Sequence, residues 1–254
     1  MVCAEQFEQA VRRAEKEALA ATGDPRQGLF GEGSSAWRVN REALVLLGGG
    51  AAALLQLAHP FVAQAVYEHS RVRRDVAGRF RRTFARLLAM TFGDLDSAVA
   101  SARRVRAIHD RVSGRFSDSV GQHAAGSAYT ANDAGAVFWV MATLLHTALR
   151  VYDDLFTPLS ESERHDFYAT SRPMALLFGL VPEELPRDYA AFSRYYDDMV
   201  HGSELCVGPA ALELSQHILT PPNAALGPLY RFIRAYTAAL LPERFRREFG
   251  LSYG

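Results

Sequence analysis

The helical spacing of apolar residues is the feature that most constrains the fold of this chain. Apolar side chains recur every three or four positions through most of the 254 residues, and the alternation typical of strands is hard to find. A short helix follows His59-Pro60 to Tyr67, and the pattern predicts longer helices at about 4–22, 40–57, 72–92, 95–113, 132–156, 160–179, 187–201, 209–219 and 224–240. A polar, glycine-containing loop is expected at about 114–130. Since no repeat or long linker divides the chain, we predict one all-α domain over residues 1–254.

Two helix starts are specified by local sequence. Asp94 can accept a backbone hydrogen bond at the start of the helix that follows it. Ser160 and Glu163 have the spacing of a capping box, in which each side chain accepts from the other residue's backbone. These two positions predict well-defined boundaries within the helical pattern.

Composition argues against several classes of function. Apolar residues make up 49% of the chain, and 28 basic residues balance 28 acidic ones, so there is no electrostatic footprint for nucleic acid. Cys3 and Cys206 cannot form a disulfide framework. The N-terminus is charged and lacks a secretion signal, and the most apolar run, 43–58, is too short to span a membrane. We expect a cytoplasmic protein without an integral membrane segment.

One histidine lies on the apolar stripe of a predicted helix. Spacings of four and three place five residues on this stripe: Ala98, Ala102, Val105, His109 and Val112. An imidazole buried there needs a partner, because an unsatisfied polar group costs about 1–3 kcal/mol. His109 is therefore either a core histidine bonded to a backbone carbonyl or the ligand of a flat group, for which the small alanines leave room.

The preceding predicted helix has a polar residue in a similar position. Thr83 is in helical register with Phe80 and Leu87, which predicts an inward direction, and Arg79 and Arg82 flank it. An arginine at the edge of an apolar pocket is a common partner for carboxylates. Alternatively, the arginines of this stretch form a solvated face.

These motifs, taken in order, resemble a known family. From Trp37 to about residue 200, the chain is similar to the haem-containing oxygenases that include the fungal mpaB enzymes and the bacterial latex-clearing proteins, or rubber oxygenases. The resemblance is carried by the stretches at 53–75, 78–93, 103–114 and 129–145, and by Tyr168 and Arg172 with FGLVPEELP. It divides the chain into an N-terminal helix and loop extension (1–36), a family core (37–205) and C-terminal helices (206–254).

The resemblance implies a globin-like core of about 8–10 helices that binds haem b through one proximal histidine. The family pattern R-x-x-H matches Arg106 and His109, so His109 would ligate iron and Arg106 would lie near the haem edge. Arg79, Arg82 and Thr83 match distal positions, and Arg79 with Arg106 would contact the propionates. The implied reaction is O2-dependent cleavage of a C=C bond, or hydroxylation, of a mostly apolar small molecule. An electron donor is a further expected partner.

Two positions depart from the family pattern. Arg82 replaces a lysine, and because arginine stays protonated it cannot become an iron-ligating amine. Met141 stands where many members have a histidine after Trp139-Val140. Any role of that histidine is lost here unless His146 replaces it. Distal chemistry and substrate therefore do not carry over from rubber oxygenases.

Further polar residues leave alternatives open. His59, Glu68 and His69 flank a short helix, where they either cap it and form a local salt bridge or line the distal pocket as acid–base groups or propionate contacts. A haem-binding carrier or sensor, or a cofactor-free helical scaffold, would show the same pattern. Three weaker alternatives rest on short motifs. His109-Asp110 resembles the metal-binding pair of phosphohydrolases, and Asp153-Asp154 and Asp197-Asp198 resemble the acidic pairs of prenyl-diphosphate enzymes. The loop around Cys206 partly resembles one that binds haem through a thiolate.

Overall fold

The computed structural model describes residues 2–70 and 76–252, without the side chains of residues 76, 77, 79 and 80. Its described part is almost entirely helical, so the predicted all-α class is confirmed. The α-helices are α1 (Ala4–Thr22), α2 (Ser35–Asn40), α3 (Gly49–Leu57), α4 (Pro60–His69), α5 (Val76–Phe92), α6 (Leu95–His109), α7 (Ala134–Leu155), α8 (Glu161–Leu177), α9 (Tyr189–His201), α10 (Pro209–Leu219), α11 (Gly227–Leu240) and α12 (Glu243–Glu248).

The described residues contain more and shorter helices than the eight to ten expected. The predicted helix at 40–57 is a 3₁₀ segment, Ala43–Gly48, followed by α3. A Cβ on Gly50 would overlap the Thr237 hydroxyl of α11, and one on Gly48 would lie 3.0 Å from a methyl group of Val151 on α7. The glycines therefore let this segment pack closely against helices on two sides, which spacing along the sequence does not reveal.

Both predicted helix starts are confirmed. Ser97 N–H donates to the Asp94 carboxylate over 2.8 Å at the beginning of α6. At the beginning of α8, Ser160 Oγ accepts from Glu163 N–H, and the Glu163 carboxylate accepts from Ser160 N–H over 2.8 Å. Local polar sequence thus determines where these two helices start.

The expected loop at 114–130 contains a short hairpin. Strands β1 (Ser113–Arg115) and β2 (Ala128–Thr130) pair antiparallel, with Gly114 opposite Tyr129. Each strand has only three residues, too few for period-two alternation to be recognised in sequence. Because β2 packs against α4, the hairpin connects the end of α6 to that helix.

The main core forms around α7, which packs against α3 and α8. Trp139 is 0% exposed, and its indole N–H donates to the Leu55 carbonyl on α3 over 2.8 Å. A second cluster of buried side chains joins α1 to α6 and α8, and includes Phe7 and Val11 on α1. The N-terminal helix is therefore packed into the fold.

One helix in the described part of the chain, α7, is long and apolar enough to cross a membrane, with a mean hydropathy of 1.4. In this fold 67% of the most apolar 18-residue stretch of α7 is buried, as is typical of a core helix. The segment 43–57 and α4 pass the same test only as a pair, and they are bent by 101° at the break between them.

Replacing Gly28 by alanine should destabilise the fold. Gly28 has a φ of +67°, and a Cβ there would overlap the Gly93 carbonyl oxygen in the α5–α6 turn. We expect the free energy of unfolding, measured by urea denaturation, to fall by about 1–3 kcal/mol. Gly33→Ala is the matched control, because a Cβ at Gly33 meets open space. Equal stability of the two variants would contradict the observed contact between this loop and the turn.

Candidate functional site

The register of α5 against α6 determines which candidate residues lie near one another. The two helices are joined at Gly93-Asp94 and pack against each other, and Ser101 Oγ donates to the Arg86 carbonyl over 3.2 Å. Continuing this antiparallel register, at about 1.5 Å per residue, brings His109 level with about residue 78 of α5. By the same register, Arg82 and Thr83 lie roughly one turn away from that level.

His109 is the last residue of α6 and is half-buried. The stripe predicted from sequence is buried at Ala98 and Ala102, which are 0% and 1% exposed, and half-buried at Val105. Next to His109, Ile108 is 44% exposed. The stripe therefore runs from the core to the surface, and His109 lies at its outer end instead of inside the core.

On α5, the predicted inward direction of Thr83 is wrong. Thr83 and Arg82 are both exposed, while Phe84 and Leu87 are half-buried and Leu88 is 43% exposed. The reason is that α5 lies at the periphery and packs mainly on α6, so apolar periodicity along the helix did not identify its buried face. The side chain of Arg79 lies outside the described residues.

Arg106 is engaged by neighbouring groups. Its Nε donates to the Asp110 carboxylate over 2.7 Å, and its Nη1 donates to the Cys3 carbonyl over 3.4 Å. The guanidinium also lies 5.3 Å from the centroid of the Phe7 ring on α1. Two of its three nitrogens therefore have acceptors within the protein.

Glu68 and His69, at the C-terminal end of α4, share a hydrogen-bond network with the hairpin. The Tyr129 hydroxyl donates to Glu68 Oε2 and lies 3.1 Å from His69 Nε2, and Gln64 Nε2 donates to Glu68 Oε1. Burial, reinforced by the hydrogen bond to Glu68, raises the pKa of Tyr129 well above its ordinary value. Tyr129 is therefore a protonated donor that holds the carboxylate in place.

Sequence reasoning did not assign a role to Tyr129 or Gln64. Tyr129 belongs to the YTAND stretch that carried the family resemblance, but nothing in that stretch indicated a carboxylate partner 61 residues away. Because β1 begins at Ser113, just after α6, the hairpin brings this network to the same end of the fold as His109. The path of the chain, and not the spacing of residues along the sequence, brings these groups to one end of the fold.

His59 lies at the opposite end of α4. Its Nδ1 accepts from the Phe61 N–H over 3.2 Å, as the cap of the helix, and the residue is 4% exposed. Burial lowers the pKa of His59 to about 4, so the ring is neutral near neutral pH. About ten residues of helix, or roughly 15 Å, separate it from His69. The structure thus shows a capping role for His59 and does not bring it together with Glu68 and His69.

His146 belongs to α7 and faces α9. Its ring stacks on Tyr196 with the centroids 3.7 Å apart, and burial lowers the pKa of His146 to about 4. The Trp139 ring also stacks on Tyr196, with the two ring centroids 5.6 Å apart. The neutral imidazole therefore fills a packing position in the main core.

The carboxylates of the weaker alternatives have local partners. Asp110 accepts from Asn132 Nδ2 over 2.8 Å in addition to Arg106, and Asp153 pairs with Arg164 over 2.6 Å. Asp154 pairs with Arg150 over 3.1 Å. Across the ranges 2–70 and 76–252, no group of three or more His, Cys, Asp or Glu side chains is arranged to hold a metal ion.

The side chains near the His109 end of α5 and α6, called the α5–α6 end, are His109, Ile108, Arg82 and Thr83, and their chemistry is of the kind that haem b would need. Such a group needs an axial nitrogen, apolar side chains against the macrocycle and cations for its propionates. The half-buried imidazole would supply the nitrogen, the 44% exposed Ile108 would supply apolar surface, and the exposed Arg82 would supply a positive charge.

The molecule is thus an all-α protein that carries a half-buried histidine and a carboxylate–tyrosine–histidine network at the same end of its fold. The model of the family described as "ER-bound oxygenase mpaB/B'/Rubber oxygenase, catalytic domain" matches residues 37–254. The chain therefore belongs to this oxygenase family, which confirms the resemblance found in its sequence. The match continues past residue 205, through α10 to α12. No curated protein and no solved structure matched the chain.

The buried His59 and the partly buried His146 should make stability depend on pH. Both His59 and His146 have pKa values lowered to about 4, so between roughly pH 6.5 and 4 the unfolded state binds more protons than the folded state. The free energy of unfolding should therefore fall as the pH drops through this window. Each histidine contributes a slope of up to about 1.4 kcal/mol per pH unit.

His146→Phe isolates one of these contributions. Phenylalanine keeps a ring stacked on Tyr196 but does not titrate. Between pH 7 and pH 5, urea denaturation should show a loss of stability that is smaller by about 1–2 kcal/mol in the variant than in the wild type. Equal losses in the two proteins would show that His146 does not stay neutral in the folded state.

Proposed function

We propose that this member of the oxygenase family depends on haem b and uses O2 to oxidise a mostly apolar small molecule, with His109 as the axial iron ligand. The reaction would be oxidative cleavage of a C=C bond or hydroxylation. When bound, the haem would supply the oxygen-activating redox chemistry. The residues of the chain would bind it, orient the substrate and limit access of water.

The register of the α5–α6 hairpin is the observation that carries this proposal. The hydrogen bond from Ser101 to Arg86 implies that α5 runs beside α6 and places Arg82 and Thr83 about one helical turn, along the axis, from the level of His109. The motifs that the family resemblance matches thus lie on two neighbouring helices. Ile108, which is 44% exposed, gives the His109 end an apolar side chain.

Each side chain at this end would have a distinct role. The His109 imidazole would coordinate through one ring nitrogen, and the chain near it at Val105 and Ile108 would exclude part of the solvent. Arg82 would place a positive charge near developing negative charge or pair with a propionate. The Thr83 hydroxyl would donate a hydrogen bond to an oxygen atom of the bound reactant.

The network on α4 would serve as the acid–base component. Glu68 is held by Tyr129 and Gln64, and His69 touches the same phenol oxygen. A proton taken up by Glu68 could pass through the Tyr129 hydroxyl to His69, whose side chain is 32% exposed to solvent. A carboxylate positioned in this way suits proton transfer during oxidation of an apolar carbon skeleton.

A haem-binding carrier or sensor is the second candidate function. The exposure of the α5–α6 end favours it, because neither of the two cavities described for this fold is bordered by His109. Oxygen consumption coupled to product formation would distinguish the oxygenase from the carrier. Cytoplasmic localisation, an electron donor and an apolar substrate stay predictions.

Replacing His109 by alanine should abolish stoichiometric haem binding. The measurement is a Soret band with pyridine haemochromogen quantification, on protein from haem-supplemented cells or after addition of hemin. His201→Ala is the matched control, because His201 is also the last residue of a helix and is exposed. Wild type and control should bind about one haem per chain. A Soret band that survives in His109→Ala, with unchanged far-UV circular dichroism, would refute His109 as the ligand.

Replacing Thr83 by valine should leave haem content unchanged and slow the reaction, and replacing Arg82 by leucine should slow the reaction as well. Loss of a positioned charge or donor at developing charge lowers turnover by about 100-fold. Arg81→Leu is the control, since Arg81 is an exposed arginine on the same turn. Oxygen uptake with a panel of apolar alkenes is the measurement. If Arg81→Leu is slowed as much as Arg82→Leu, a general electrostatic effect replaces the assigned roles.

A further inference from the structure

Arg172, on α8, has fewer partners than a half-buried cation requires. Its Nη2 donates to the Pro182 carbonyl over a long 3.4 Å, and its Nε is buried without a hydrogen-bond partner. Among the described residues it forms no ion pair with a carboxylate. A buried donor on a charged group is unfavourable when it is unpaired, so this guanidinium needs an acceptor that the chain does not provide.

A cavity of about 100 Å³ lies beside Arg172, between α1 and α8. We call it the α1–α8 cavity; its charged lining residues are Arg13, Glu17 and Arg172, and its apolar lining includes Leu176 and Leu185. It is separate from the α5–α6 end, and none of its lining residues was given a role in oxidation. The unpaired guanidinium and the open volume are two independent signs of a ligand.

The charges around the cavity limit the ligand. Arg13 and Arg172 contribute two positive charges, and Glu17 contributes one negative charge at 3.0 Å from Arg13 Nε. Glu183 also lies 3.8 Å from Arg13. A single negative charge balances the unpaired Arg172, whereas a dianion would be repelled by the two carboxylates. The planar fork of a guanidinium matches the geometry of a carboxylate.

We propose that the α1–α8 cavity binds a short monocarboxylate. Its carboxylate would accept from the accessible part of the Arg172 guanidinium, and its hydrocarbon end would lie against Leu176 and Leu185. Because Arg13 belongs to α1 and Arg172 to α8, the ligand would also strengthen the attachment of the N-terminal helix to the rest of the fold. This binding does not depend on the proposed oxygenase function.

Thermal unfolding of the full chain in chloride buffer, with and without propionate at constant ionic strength, tests the proposal. Propionate at about 100 times its dissociation constant should raise Tm by about 5 °C in the wild type. Arg172→Met should lose this shift while keeping an equal or higher Tm without propionate, because it removes an unpaired charge. Arg187→Met, which removes an exposed arginine paired with Asp188, should keep the shift.

Other outcomes would overturn the assignment. No shift with propionate in the wild type, or the same shift in Arg172→Met, would exclude this site. A larger shift with inorganic phosphate than with propionate would exclude the monocarboxylate class. If Arg172→Met does not fold, Glu17→Gln gives an independent measurement, since removing the nearby negative charge should tighten propionate binding about threefold. Unchanged or weaker binding by that variant would count against the proposal.

Discussion

Burial of α7 is the constraint on which the rest of the structure depends. This helix packs against α3 and α8, and the indole N–H of Trp139 finds its acceptor in the Leu55 carbonyl. The 3₁₀ segment before α3 approaches α7 closely enough that Gly48 has little room for a side chain. Once these layers are in place, α4 and the hairpin are carried to one end of the molecule. The functional groups at that end are positioned by the core and do not themselves build it.

The candidate site combines two kinds of environment. The network of Glu68, Tyr129 and His69 is ordered by hydrogen bonds between α4 and the hairpin. The surface of α5, in contrast, presents Arg82, Thr83 and Leu88 with little cover. The helix that packs beside α6 is therefore amphipathic but incompletely buried.

The N-terminal segment is part of the same folded unit as the family region. Helix α1 contributes Phe7 and Val11 to a core shared with α6 and α8, and Arg106 on α6 is held partly through the Cys3 carbonyl. The α1–α8 junction is therefore packed directly against the helix that carries His109.

The sequence by itself determined the all-α class, the starts of α6 and α8, and the motifs that identify the family. Periodicity and caps depend on neighbours within one or two turns, so they can be recognised without knowing the fold. Only the tertiary structure decided that Thr83 is exposed and that His59 caps α4 away from His69. It also decided that Tyr129 holds Glu68 and that Arg172 is left unpaired beside a cavity. These outcomes depend on contacts between residues far apart in sequence, and on how much of each helix its neighbours cover, neither of which is encoded in local spacing.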